Sequence, residues 1–146
     1  MKIAIVAVGR VKERGLRDAI DEYEKRIGRY AKIEEIELED GRDVELEARF
    51  RKAIPARART VALEVEGQRM TSEKLARWVE QCEIGAVPVV AFLIGGSYGL
   101  PKSVSAGADL RLSMSDMTLP HRLARLVLAE QIYRAFTILR NEPYSH

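Results

Sequence analysis

Apolar residues run without a polar interruption from Ile3 to Val8 and stop at Gly9, and a short β-branched run of that kind predicts a strand covered on both faces. Over residues 14 to 29 the period changes, with Leu16, Ile20, Tyr23 and Ile27 on one helical stripe and charges elsewhere. "KIEEIELED" alternates Ile36 and Leu38 with Glu35, Glu37 and Glu39, which predicts a more exposed strand near a sheet edge, ended by Asp40-Gly41. A helix starting near Asp43 carries Val44, Leu46 and Phe50 to Ile54, where Pro55 ends it.

"TVALEVEG" is a third strand, and Thr71 or Ser72 then caps a helix with Leu75, Trp78, Val79 and Cys82 at helical spacing. The most apolar stretch, "AVPVVAFLIGG", belongs at the sheet centre, with Pro88 at its start, where a missing donor is tolerated. A short helix after Pro101, a strand around "ADLRLSMS" and a long helix from Pro120 to about Leu139 complete the chain. Strands alternating with helices predict one α/β domain over 1–146: a mostly parallel sheet flanked by helices, with ligands at the carboxyl ends of its strands. Apolar residues of the last helix, among them Leu123, Val127, Tyr133 and Ile138, spread beyond one stripe, so a second subunit is expected against that face.

Composition narrows the setting. The 24 basic and 22 acidic side chains nearly cancel, so any nucleic-acid surface must be local. Two basic stretches qualify: "RFRKAIPARAR" at residues 49–59, and "GRVKERGLR", which brings Arg10, Lys12, Arg14 and Arg17. Cys82 is the single cysteine and lacks Cys or His neighbours at metal-ligand spacing, so no metal is expected and a reducing cytoplasm is the expected compartment. No apolar run approaches the roughly 20 residues of a membrane span, so no membrane partner is expected either.

The glycine turn in "FLIGGSYGLPKS" poses the chemical question. From Gly96 it misses the phosphate-binding pattern G-x-x-x-x-G-K-[ST] by one residue, because Pro101 stands in the second glycine's place. Proline supplies no N–H and fixes φ, which disables a phosphate cradle. Gly95, Gly96 and Gly99 also miss the dinucleotide fingerprint. What remains is a tight turn or a pocket for another ligand.

Three further stretches point to that ligand: "LSMSDMTLPHRL", where Asp116 or Thr118 precedes Pro120 as a helix cap; the helix sequence "AEQIYRA"; and the tail "NEPYSH". Together with "LIGG", at these spacings, they resemble the SPOUT-class pseudouridine N3-methyltransferases of bacterial 23S rRNA, the ribosomal RNA large subunit methyltransferase H family, over essentially the whole chain. The resemblance implies a C-terminal deep trefoil knot, over approximately 87–146, and a homodimer. It implies S-adenosylmethionine as cofactor, bound by Leu63, Gly96 and the loop Met114, Ser115, Asp116, Met117, Thr118 and Leu119. The implied substrate is 23S rRNA, in the ribosome or the large subunit. A tRNA-directed SPOUT enzyme and a ribosome-binding protein without turnover are the alternatives.

Methylation at N3 requires loss of an imide proton, so a base or an anion-stabilising group is expected near the cofactor. His121, at the start of the last helix, is the first candidate; its structural alternative is a ring hydrogen-bonded to a loop carbonyl. Arg134 lies in an apolar stretch and needs a phosphate, a cross-subunit contact, or Glu130 at i−4. Tyr144 and His146 are the tail candidates that the resemblance implies. The family's tail ends proline-tyrosine-histidine followed by a basic residue; here Ser145 intervenes, so His146 matches only with a one-residue shift.

Overall fold

The computed structural model describes residues 1–144. Five parallel strands form one sheet in the order β2-β1-β4-β3-β5: β1 (Lys2–Val8), β2 (Lys32–Leu38), β3 (Ala58–Arg69), β4 (Val89–Ile94) and β5 (Leu110–Ser113). The helices are α1 (Arg14–Ile27), α2 (Asp43–Ala53), α3 (Ser72–Ile84), α4 (Lys102–Ala106) and α5 (His121–Leu139). β4 is the central strand and β2 an edge, as the apolar and alternating patterns predict.

The pleat sorts the side chains into two cores. Ile3, Ile5, Val90, Phe92 and Ile94 pack with residues of α1, α3 and α5, whereas Ala4, Val6, Val8 and Leu93 pack with Leu46 and Phe50 of α2 and Leu100 before α4. Both faces of β1 and β4 are therefore dry, which is why neither strand shows polar alternation.

Two expectations change. β3 continues past Gly67 to Arg69, and its pairing with β5 slips between Leu63 and Gln68. This irregularity swings Leu63, Glu64 and Val65 out toward the end of the sheet. The breadth of α5 has an internal explanation in part. The helix packs against α1 and α3 on one sheet face, with Tyr133 beside Tyr23 (ring centroids 6.0 Å apart) and Phe136 stacked on Tyr30 (5.4 Å). Part of its apolar spread is consumed inside the chain in this way, whereas Leu123 stays exposed and Val127 and Ile138 are only half-buried.

Candidate functional site

All five strands are parallel, so the loops after β1, β2, β4 and β5 emerge at one edge of the sheet. A cavity of about 560 Å³ opens there, between the β3 irregularity, the glycine turn after β4 and the loop between β5 and α5. The turn is held by the Gly99 N–H donating to the Gly96 carbonyl at 3.0 Å, with Gly99 at φ +80°. A Cβ on Gly95 would lie 2.2 Å from the Gly99 carbonyl carbon, so the turn closes only without a side chain there. At Gly96 a Cβ would meet Val8 Cγ1 at 3.2 Å, a tight but yielding contact.

The loop after β5 is braced from within. Ser113 Oγ donates to the Ser115 carbonyl (3.0 Å), and the Met117 N–H donates to Ser115 Oγ (2.9 Å). Of the expected cofactor residues, Leu63, Gly96, Met114, Ser115, Met117, Thr118 and Leu119 surround the cavity. Asp116 does not: its carboxylate takes two hydrogen bonds from Arg69, at 3.0 and 2.8 Å, on the exposed surface. Neither Asp116 nor Thr118 caps α5. Pro120 occupies the cap position with no side-chain hydrogen bond, because the loop spends its polar groups on itself and on Arg69. His121 follows in the first turn and lines the cavity. The hydrogen bond from its ring to a loop carbonyl, expected of a structural histidine, is absent among the described residues.

Arg134 and Tyr144 stand elsewhere. Arg134 donates from Nε (3.0 Å) and Nη2 (2.8 Å) to one Glu130 oxygen, and its guanidinium lies 4.8 Å from the Tyr144 ring centroid. The Tyr144 hydroxyl donates to the same Glu130 oxygen at 2.8 Å and lies 3.5 Å from the Tyr23 hydroxyl. Burial, then hydrogen bonding to Tyr23 and Glu130, raises the Tyr144 pKa, so at neutral pH the phenol is a donor and not a base. The bond to Glu130 likewise raises the Arg134 pKa. At 1.5 Å per residue, Arg134 is about 20 Å along the helix from His121. One chain therefore brings its candidates together in two separate groups, while His146 lies outside the described residues.

Sequence reasoning missed Arg125. Its side chain is 1% exposed, yet it donates to Glu35 (3.0 Å), Glu37 (2.6 Å) and the Gly9 carbonyl (2.9 Å). Arg17 joins from α1 through Glu35 at 2.6 Å. Glu35 and Glu37, on a strand expected to be more exposed, are thus the partners of a buried cation, in an ion cluster linking β2, α1 and the start of α5. The same cluster leaves a Glu24 carboxylate oxygen buried without a hydrogen-bond partner among the described residues. Burial first, then the Glu35 charge, pushes the Glu24 carboxyl up to about 7. The available signal was an arginine on the same helical stripe as Leu128 and Ile132, opposite a strand bearing two acids on one face.

A cavity at the carboxyl edge, walled by a glycine turn and a loop that leads into the last helix, can be compared with known proteins. The family described as "Predicted SPOUT methyltransferase" matches residues 1–146. The chain belongs to the SPOUT methyltransferases. It is 51% identical over 146 residues to ribosomal RNA large subunit methyltransferase H of Sorangium cellulosum (strain So ce56), covering 100% of both chains. Among solved structures, a probable methylase family protein from Haemophilus influenzae Rd KW20 superposes with a TM-score of 0.57 at 11% identity, over 99% of this chain and 70% of that one. A protein studied for 2-OH methylation of C/U34 on tRNA gives 0.55 at 20% identity, over 93% and 97%. At those identities the two structures speak for the SPOUT fold alone.

No helix among the described residues is long and apolar enough to cross a membrane. Nor do three or more His, Cys, Asp or Glu side chains gather in a metal-holding group among them.

Proposed function

We propose that this chain methylates N3 of a pseudouridine in 23S large-subunit rRNA, with S-adenosylmethionine as donor, as a cytoplasmic homodimer. One observation carries the reading: the cavity bordered by Gly96, the Met114–Leu119 loop and His121, in a chain 51% identical end to end to a relative named for large-subunit rRNA methylation. The cavity's roughly 560 Å³ suits a cofactor of nucleoside-plus-amino-acid size. Its glycine wall permits close backbone approach, and the loop offers backbone groups to an adenine edge.

S-adenosylmethionine supplies an electrophilic methyl carbon on a sulfonium. The chain's own work is to hold, align and keep dry. Leu63, Met114 and Leu119 exclude water at the cavity walls, and Gly96 with Ser115, Met117 and Thr118 shapes the cradle; Asp116, turned toward Arg69, contributes only through the loop backbone. His121 stands beside the cavity as acceptor of the N3 proton. Arg134 meets substrate phosphate or the second subunit, Tyr144 donates its hydroxyl, and His146 joins them on the resemblance of the tail alone.

The dimer has a second support beside the partly uncovered apolar face of α5. His121 and Arg134 are about 20 Å apart on one helix, too far to serve one base together. A second copy that brings its Arg134 and Tyr144 to this chain's His121 completes the site. A C-terminal knot is consistent with the chain path, since β5 lies at one sheet edge whereas α5 returns to pack against α1.

Calorimetry with S-adenosylmethionine, followed by methyl transfer to ribosomes, large subunits, free 23S rRNA and tRNA, tests the reading. Binding in the micromolar range and methylation of a ribosomal substrate at N3 of a pseudouridine are expected. Failure to bind the cofactor, or methylation of tRNA alone, overturns it.

A further inference from the structure

Tyr98 is fully exposed, and it stands on the rim of the cavity. The backbone beneath it is pinned: Ser97 and Tyr98 form the tip of a turn closed by the Gly96–Gly99 bridge. Gly95 permits the two arms to touch. A closed turn thus carries an aromatic ring with no hydrogen bond or ring partner among the described residues. Around the same mouth Met117 and Val65 are also exposed, so the rim is more apolar than an ordinary loop end.

The charge beside it is mixed, with Asp40 near Gly96 and Glu64 on the cavity wall, but the unpaired cations come from one segment. β1 and β4 run in register with Ala7 beside Ile94, and Gly96 sits against Val8, so the segment from Gly9 leaves the sheet next to the glycine turn. That segment carries Arg10, Lys12 and Arg14, all exposed and none in an ion pair among the described residues. The other basic stretch lies away from this rim. α2 starts at the carboxyl edge, after β2, and ends before β3 begins, so Arg51, Lys52, Arg57 and Arg59 gather at the opposite edge of the sheet. Arg49 is engaged with the Glu39 and Asp40 carbonyls.

We infer that Tyr98 is a stacking platform for a nucleobase of the RNA substrate at the cavity mouth, with Arg10, Lys12 and Arg14 on the adjoining phosphates. Aromatic rings accept any base through its π-face, and fixed cations beside them track the backbone. The inference rests on the proposed RNA substrate and adds the residues that meet it. A ring standing wholly in water is not closed over the cavity, which separates this role from that of a cover for the cofactor.

Substitutions at Tyr98 and in the two basic stretches test it. Tyr98→Ala should raise KM for the accepted RNA roughly tenfold, the loss of one base stack, while S-adenosylmethionine affinity and sedimentation stay as in the parent protein. The conservative Tyr98→Phe should rescue that loss, because stacking needs the ring and not the hydroxyl. Tyr98→Trp adds an emitter at the rim to the native Trp78. Its added emission should be quenched by protein-free 23S rRNA in the presence of S-adenosylhomocysteine but not by S-adenosylhomocysteine alone. The double reversal Arg10→Glu/Lys12→Glu should flatten the salt dependence of RNA binding by about one to two in log–log slope, whereas Arg51→Glu/Lys52→Glu should not. An unchanged KM in Tyr98→Ala, a loss of cofactor affinity, a change in sedimentation, or quenching of the added indole by the cofactor product alone overturns the assignment. Absence of methyl transfer by the parent protein sinks the proposed function instead, and the emission of the Tyr98→Trp variant still reads the RNA contact directly.

Discussion

Arg125 shows how one residue can hold three elements and still carry a cost. Its guanidinium, withdrawn from water, is matched by Glu35 and Glu37, but its Nε has no acceptor among the described residues. Removing the cation leaves two neighbouring, partly buried acids to share the single charge of Arg17. Arg125→Leu is therefore expected to lose about 3–5 kcal/mol of unfolding free energy, read from urea titrations. Glu24, in the same cluster, sets a pH dependence. Its folded pKa of about 7 lies above the ordinary 4.5, so between those values the folded state binds more protons than the unfolded one. The protonated form favours the fold, and this contribution is complete below about 4.5 and lost as pH rises through about 7. Glu24→Gln should abolish that decline, melting higher than the parent at pH 8 and little differently at pH 5. An unchanged difference between the two pH values would show that Glu24 is not the titrating group.

The two glycines of the turn after β4 divide structure from binding. Gly95→Ala forces a Cβ into backbone 2.2 Å away and should lower the melting temperature, whereas at Gly96 a Cβ meets only side chains, Val8 at 3.2 Å and Asp40 at 3.8 Å, and Gly96→Val should fold. Gly96→Val is expected to abolish S-adenosylmethionine binding by calorimetry with its secondary structure intact; normal binding would mean that the cofactor lies elsewhere. Elements were legible where one periodicity ruled, as in the dry β1 and β4 or the striped α1. The turn's glycines were legible as a pocket only through resemblance, since spacing alone left a spoiled phosphate loop. β2 was legible as an edge strand but the role of its acids was not, because acid alternation looks the same whether it faces water or a buried arginine, and the partner lies ninety residues away in sequence. The irregularity in β3 was invisible because Gly67 reads as a strand end, while here it admits the Arg111 and Leu112 backbone at 2.8–2.9 Å. The α5 cap was misassigned for a similar reason: Asp116 and Thr118 are both competent cap residues, and the contact that draws Asp116 away comes from Arg69.

At the scale of the molecule, the question is where one active site ends. With His121 at one end of α5 and Arg134 and Tyr144 toward the other, inactive His121→Ala and Arg134→Ala proteins should complement when mixed and allowed to exchange subunits. About a quarter of parental activity is expected, since half the dimers are mixed and each holds one intact site. No recovery from dimers shown to exchange would place each site within a single chain.

The strand order has a consequence in time. β1 pairs with β4, and α1 is covered by α5, with Arg122 reaching Glu13 across 109 positions and Tyr144 reaching Tyr23 across 121. An emerging N-terminal half therefore has no central neighbour for its first strand and no lid for its first helix, and its apolar faces wait for the end of synthesis. Contacts of such long sequence separation close slowly. This chain should fold after release, as a unit, and should need protection from aggregation for that interval.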